Sequence, residues 1–159
     1  MRSIYEADTE GEVALAAAGT VKTIYGVKGD AGHALDLLAL AFSLDGITAA
    51  EQPVLVELVA VSFATQAPGT ASTAVAVKNT AGPRIAETFA AAKNWTTEPT
   101  VKTILKPLDY DPYKFTFDRE WPLGENYDFP VAEGYTIQMT IPSGGAAVNA
   151  RVWSRWGRV

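Results

Sequence analysis

Pro53-Val-Leu-Val-Glu-Leu-Val-Ala-Val-Ser-Phe-Ala64 decides the fold class. Its side chains alternate with a period of two, with Leu55, Glu57, Val59, Val61 and Phe63 on one side and Val54, Val56, Leu58 and Ala60 on the other. Successive residues of a strand point to opposite faces, so both faces here are mostly apolar, as a central strand covered on both sides requires. Pro53 fits the first strand position, where a missing N–H costs least. Gln66-Ala-Pro-Gly-Thr70 closes the strand as a turn.

Working outward, Gly134–Pro142 alternates Tyr135, Ile137, Met139 and Ile141 with Thr136, Gln138 and Thr140, the pattern of a half-exposed strand. Pro142-Ser-Gly-Gly145 then predicts a turn into a returning strand over Ala146–Trp156, making a C-terminal hairpin. In that strand Val148, Ala150 and Val152 face inward, and Asn149, Arg151 and Trp153 outward. Weaker strand signals cover 20–27, 72–78, 101–106, 113–117 and 127–131. Segment 31–44 suits a helix through Leu35, Leu38 and Phe42 and a strand through Leu38, Leu40, Phe42 and Leu44; strand is favoured. Pro83–Lys93 carries helix formers after a first-turn proline, with Ile85 and Phe89 at i, i+4. Short strands punctuated by frequent turns predict an all-β fold, a single-domain antiparallel β-sandwich over residues 1–159. It is expected to be jelly-roll-like, with at most one short helix near 84–92.

Composition excludes more than it identifies. The chain has 159 residues, 48% hydrophobic and 19% charged, which suits one domain with a sizeable core. Without cysteine there are no disulfides, thiolate metal sites or cysteine nucleophiles, and one histidine rules out multi-histidine metal centres. The net charge of −5 argues against a nucleic-acid partner, which needs a basic footprint. The acidic start Met1–Asp8 lacks the apolar run of a signal peptide, and the apolar segment 35–44 is too short for a bilayer. The expectation is a soluble protein made in a cytoplasm, with no membrane partner.

Candidate chemistry is thin. His33 follows Asp30 in a glycine-rich stretch, but no G-x-S-x-G accompanies it, and a surface-loop histidine is the expected reading. The glycines at 26, 29 and 32 match no phosphate-loop spacing. Asp109, Asp111, Asp118 and Glu120 could be imagined as a Ca²⁺ loop or a glycosidase pair, yet turn caps and solvated strand ends explain them better. No catalytic residue, metal or cofactor is expected. Aromatics are the stronger signal, since Trp, Tyr and Arg anchor protein interfaces. Trp121 in Trp121-Pro-Leu-Gly124, and Trp153 and Trp156 beside Arg151 and Arg155, are the candidate interface residues; Phe115 and Phe117 are assigned to the core or its rim. Exposed Trp and Tyr could also stack on sugar rings, so a glycan ligand is the alternative.

The landmarks run in order from an Ala-rich start and Thr20-Val-Lys-Thr-Ile24 to Pro53–Glu57, Gln66–Thr70 and Glu98-Pro-Thr100. Trp121–Gly124, Gly134-Tyr-Thr-Ile and a terminal Val-Trp strand follow. This order resembles the small β-sandwich capsid decoration, or cement, proteins of tailed bacteriophages. The resemblance implies a non-enzymatic virion protein on the capsid exterior, made in the host cytoplasm. Its implied partners are the major capsid protein and itself, as a homotrimer that reinforces an icosahedral head.

Overall fold

A computed structural model describes residues 2–47, 52–82, 85, 88–113, 115–122 and 124–159. In chain order the strands are β1 Ile4–Asp8, β2 Val13–Ala14, β3 Val21–Lys28, β4 Leu35–Leu44, β5 Val54–Ser62, β6 Thr73–Val75 and β7 Lys78–Ala81. They continue with β8 Ala90–Lys93, β9 Lys102–Tyr110, β10 Thr116–Glu120, β11 Tyr127–Phe129, β12 Glu133–Thr140 and β13 Asn149–Arg158. Two antiparallel sheets pack face to face as a β-sandwich. The seven-stranded sheet runs β10-β4-β13-β1-β7, with β11 also on β4 and β2 also on β13. The six-stranded sheet runs β6-β8-β3-β12-β5-β9.

No two consecutive strands pair among the described residues, which corrects the predicted C-terminal hairpin. Glu133–Thr140 lies between β3 and β5 in the six-stranded sheet, whereas Asn149–Arg158 lies between β4 and β1 in the other. The Pro142–Gly145 turn therefore carries the chain across the sandwich. Alternation fixed which side chains face inward, and that part stands: Val148, Ala150 and Val152 are buried. It says nothing of which strand lies alongside.

The ambiguity over 31–44 resolves as strand β4 with a bulge. Arg155 pairs with Ala39 and Trp156 with Leu37, so Leu38 is an extra residue on β4. The large apolar side chains turned into the core are Leu35, Leu37, Leu40, Phe42 and Leu44, and Asp36 and Ala39 are buried as well. One spacing of three among spacings of two is what imitated a helical period. At this bulge β10 leaves the edge of β4, the Trp121 N–H donates to the Leu38 carbonyl (2.9 Å), and β11 pairs with the remainder. Of the predicted helix near 84–92, residues 84, 86 and 87 lie outside the described residues. Its end corrects to strand, because Ala90–Lys93 forms β8 against β3 and β6.

The core between the sheets combines Tyr5, Leu37, Phe42, Val152 and Trp156 with Tyr25, Val56, Leu58, Ile137 and Met139. A hydroxyl chain crosses it: Tyr135 donates to Ser154 (2.6 Å), Ser154 to Tyr25 (2.9 Å), and Tyr25 to the Ala7 carbonyl (3.2 Å). Each hydroxyl spends its proton once, so three buried polar groups are satisfied without water. Burial holds both phenols far above their ordinary value; the Ser154 bonds offset this only in part.

A second cluster lies on the outer face of the six-stranded sheet. Val59, Val61 and Phe63 of the β5 segment pack there against Ala92 and Trp95, while Val54, Val56 and Leu58 face the main core. The two-faced reading of Pro53–Ala64 is thus what the structure contains.

Candidate protein interface

The sequence singled out five residues, and the structure brings three of them together. Arg151, Trp153 and Arg155 share the outward parity of β13 and form a stripe down the outer face of the seven-stranded sheet. Arg155 sits across from Glu6 on β1 and Ala39 on β4, Trp153 across from Asp8 and Ala41, and Arg151 across from Ser43. The Arg155 guanidinium lies 5.9 Å from the Trp153 ring centroid and pairs with Glu120 on β10 at 2.5 Å. Arg151 pairs with Glu12 at 3.1 Å. Each arginine is thereby tethered at its tip while its stem and the half-buried indole stay accessible.

Trp156 corrects to core. It is fully buried, with its ring 6.2 Å from Phe89 in an edge contact. The physical reason is parity: 148, 150, 152, 154 and 156 all point inward, so the rule that buries Val152 buries Trp156 as well. Trp121 stands apart for the same kind of reason. It has the parity of Phe117, packs against the core rim, and meets Tyr127 edge-on at 5.6 Å with the Arg119 guanidinium 5.7 Å from its ring. Phe115 and Phe117 join Phe42 and Tyr110 in an aromatic cluster that spans from β9 to β10. Burial raises the Tyr110 phenol, and Arg119 partly counters it.

Reading from sequence missed the floor of this face. Ala39, Ala41 and Ser43 alternate with the large buried Leu40, Phe42 and Leu44, so the outward side chains there are small; Ala41 and Ser43 are partly exposed and Ala39 is fully buried. The signal was present as large-small alternation but was obscured by the bulge. Beside Trp153 this floor opens into a groove of about 650 Å³, lined also by Asp8, Glu10, Thr116 and Arg151.

The remaining candidates separate in space. Asp111 accepts from the Tyr113 N–H (2.8 Å) as a turn cap, and Asp109 lies on β9 of the six-stranded sheet. Asp118 and Glu120 lie on β10 of the other sheet. Among the described residues, no group of three or more His, Asp and Glu could hold a metal ion. His33 is half-buried with Nδ1 3.0 Å from both Asp30 oxygens, while the Arg158 guanidinium contacts Nε2. A triad would need a nucleophile hydroxyl at Nε2; the nearby Thr88 hydroxyl donates to Asp30 instead. Burial pushes the Asp30 carboxyl up, but hydrogen bonds from Thr88, Gly32 and His33 outweigh it and bring it down to about 2.

No protein-family model matches the chain, and no curated protein matches it. The class that the geometry defines is a two-sheet antiparallel β-sandwich.

Proposed function

We propose that the chain is a non-enzymatic virion structural protein. In this reading it is a capsid decoration, or cement, protein that binds the outside of an icosahedral phage head as a homotrimer. The observation that carries a binding role is the partly exposed Arg-Trp-Arg stripe on the outer face of the seven-stranded sheet. There Arg151, Trp153 and Arg155 stand over the small-residue floor of Ala39, Ala41 and Ser43. Tryptophan and arginine on a flat, rigid surface contribute buried area at low entropic cost, which favours association. Many copies on one lattice also gain by multivalency, so each contact can be weak. The head as partner rests on the resemblance of the sequence to decoration proteins.

Light scattering of the purified chain, followed by co-sedimentation with heads assembled from the cognate major capsid protein, tests the reading. A trimer that pellets with heads is expected; a monomer that stays in the supernatant overturns it. A glycan-binding module is the second reading, favoured by the groove beside Trp153 with Asp8, Glu10 and Arg151 as hydroxyl partners. Glycan-array signals that vanish in Trp153→Ala, with no head binding, would select it.

A further inference from the structure

The far end of the sandwich holds a second concavity, of about 680 Å³, between the β3–β4 loop, the start of β8 and the end of β13. Its polar lining is Lys28, Asp30, His33, Thr88 and Arg158, and its walls include the small residues Gly29, Gly32, Ala90 and Ala132. We propose that this groove is a proton-gated oxyanion site, in which Arg158 and protonated His33 together take a phosphate or carboxylate group and Lys28 supplies a third positive charge.

The argument starts from donors and acceptors. Asp30 is already saturated by Thr88, the Gly32 N–H (2.7 Å) and His33 Nδ1. Guanidinium only donates, so a hydrogen bond from Arg158 to Nε2 is available to the neutral ring tautomer that carries its proton on Nδ1, toward Asp30. In its neutral form the ring engages Arg158 across one side of the groove. Protonation puts an N–H where the lone pair was. Two donors then face each other with no acceptor between them, and an oxyanion with two oxygens is the group that satisfies both. Among the described residues, the charged groups facing the ring are Asp30 from its own loop, Lys28 from β3 and Arg158 from β13. Their sum rises from one positive charge to two when the imidazole is protonated. Lys28 makes no ion pair with a described residue. The Arg158 backbone is held by its N–H to the Ser3 carbonyl (3.0 Å), so its guanidinium reorients from a fixed base.

His33 is the only histidine, so its imidazole NMR signals report the site without ambiguity. The experiment titrates those signals in the intact chain at constant ionic strength, with chloride alone, with inorganic phosphate, or with acetate. Binding that prefers the protonated ring must raise the titration midpoint, by reciprocal linkage. A rise of about half a pH unit, which is about a threefold preference for the protonated form, is the expected result with phosphate or acetate. The Arg158→Gln variant, checked for folding by its amide spectrum, should lose that rise. A phosphate effect without an acetate effect would identify a phosphoryl group, and the converse a carboxylate. A midpoint identical in all three salts overturns the proposal, and so does a rise that persists undiminished in folded Arg158→Gln.

Discussion

Trp95 and Trp153 both lie on an outer face of a sheet, yet the chain treats them oppositely. On the six-stranded sheet, the segments around 64–72 and 94–101 fold over the strands. Trp95 is 2% exposed, its Nε1 donates to the Gln66 carbonyl (3.1 Å), and its ring reaches down to Gly26. Beside it the half-buried Glu98 accepts from the Thr23 N–H (2.8 Å), the Thr23 hydroxyl and Gln138 Nε2 (3.2 Å), while Lys102 donates to Gln138 Oε1 (2.9 Å). The chain's own loops thus cover the centre of that face over β3, β12 and β5, with Thr23, Glu98 and Gln138 hydrogen-bonded together, while β9 at its edge stays exposed. On the seven-stranded sheet Trp153 is half-buried, and its neighbours Arg151 and Arg155 are held in surface ion pairs. The difference teaches that cover on the outer faces is local: the chain's own loops bury Trp95, whereas Trp153 stays partly exposed among paired arginines.

The largest test of this contrast is Trp95→Ala. Removing a fully packed indole should cost about 3–5 kcal/mol in denaturant unfolding, because the loop cover cannot collapse onto β3 and β5. A cost below about 1 kcal/mol would mean that the second cluster is not structural. Next comes Glu98→Ala, which leaves the buried Thr23 N–H and hydroxyl without their carboxylate acceptor and should cost about 1–3 kcal/mol, while Gln138 keeps its bonds to Thr23 and Lys102. Glu98→Gln should recover part of the loss, since its amide oxygen can still accept from the Thr23 N–H. Gly26→Ala probes the same cover from below. An added Cβ would stand 2.8 Å from Thr136 Cγ2, 3.0 Å from Trp95 Cη2 and 3.1 Å from the Tyr135 carbonyl oxygen, so the Thr136 methyl and the indole must both give way, at about 1–3 kcal/mol. Tryptophan emission moving to longer wavelength in that variant, and not when Trp95 is also replaced by Phe, would show the lift.

How much of this was legible follows from what each signal encodes. Alternation over Pro53–Ala64 encodes facing, and it anticipated both the core and an apolar outer face. It does not encode neighbours, so β12 and β13 read as a hairpin although they belong to different sheets. A bulge breaks the period, which is why β4 looked half helical. The stripe of Arg151, Trp153 and Arg155 was readable because its parity is regular. Trp156 was misassigned by composition, through proximity to arginines, against the parity that buries it. Trp95 and the Glu98 network were invisible for another reason. Their partners come from Gln66, Thr23 and Gln138, brought close only by the fold, and nothing local marks Trp95 as covered.

The smallest expected stability effect is the one that decides function. Trp153→Ala and Arg155→Ala remove groups that are partly in water, and the Arg155–Glu120 pair has side chains 34% and 67% exposed. Such pairs contribute about 0–1 kcal/mol, and each variant should unfold within about 1 kcal/mol of the parent. Association should respond quite differently, because truncating a central Trp or Arg of an interface typically costs more than about 2 kcal/mol, which is a loss of about thirtyfold or more in affinity. Light scattering and head co-sedimentation on the two variants therefore separate folding from docking. If Trp153→Ala destabilises the monomer as strongly as Trp95→Ala, the stripe is a structural brace and the two faces are alike. If both variants fold normally and still assemble, the stripe is not the contact surface, and the exposed Val101, Ile104 and Leu105 around β9 become the next surface to mutate.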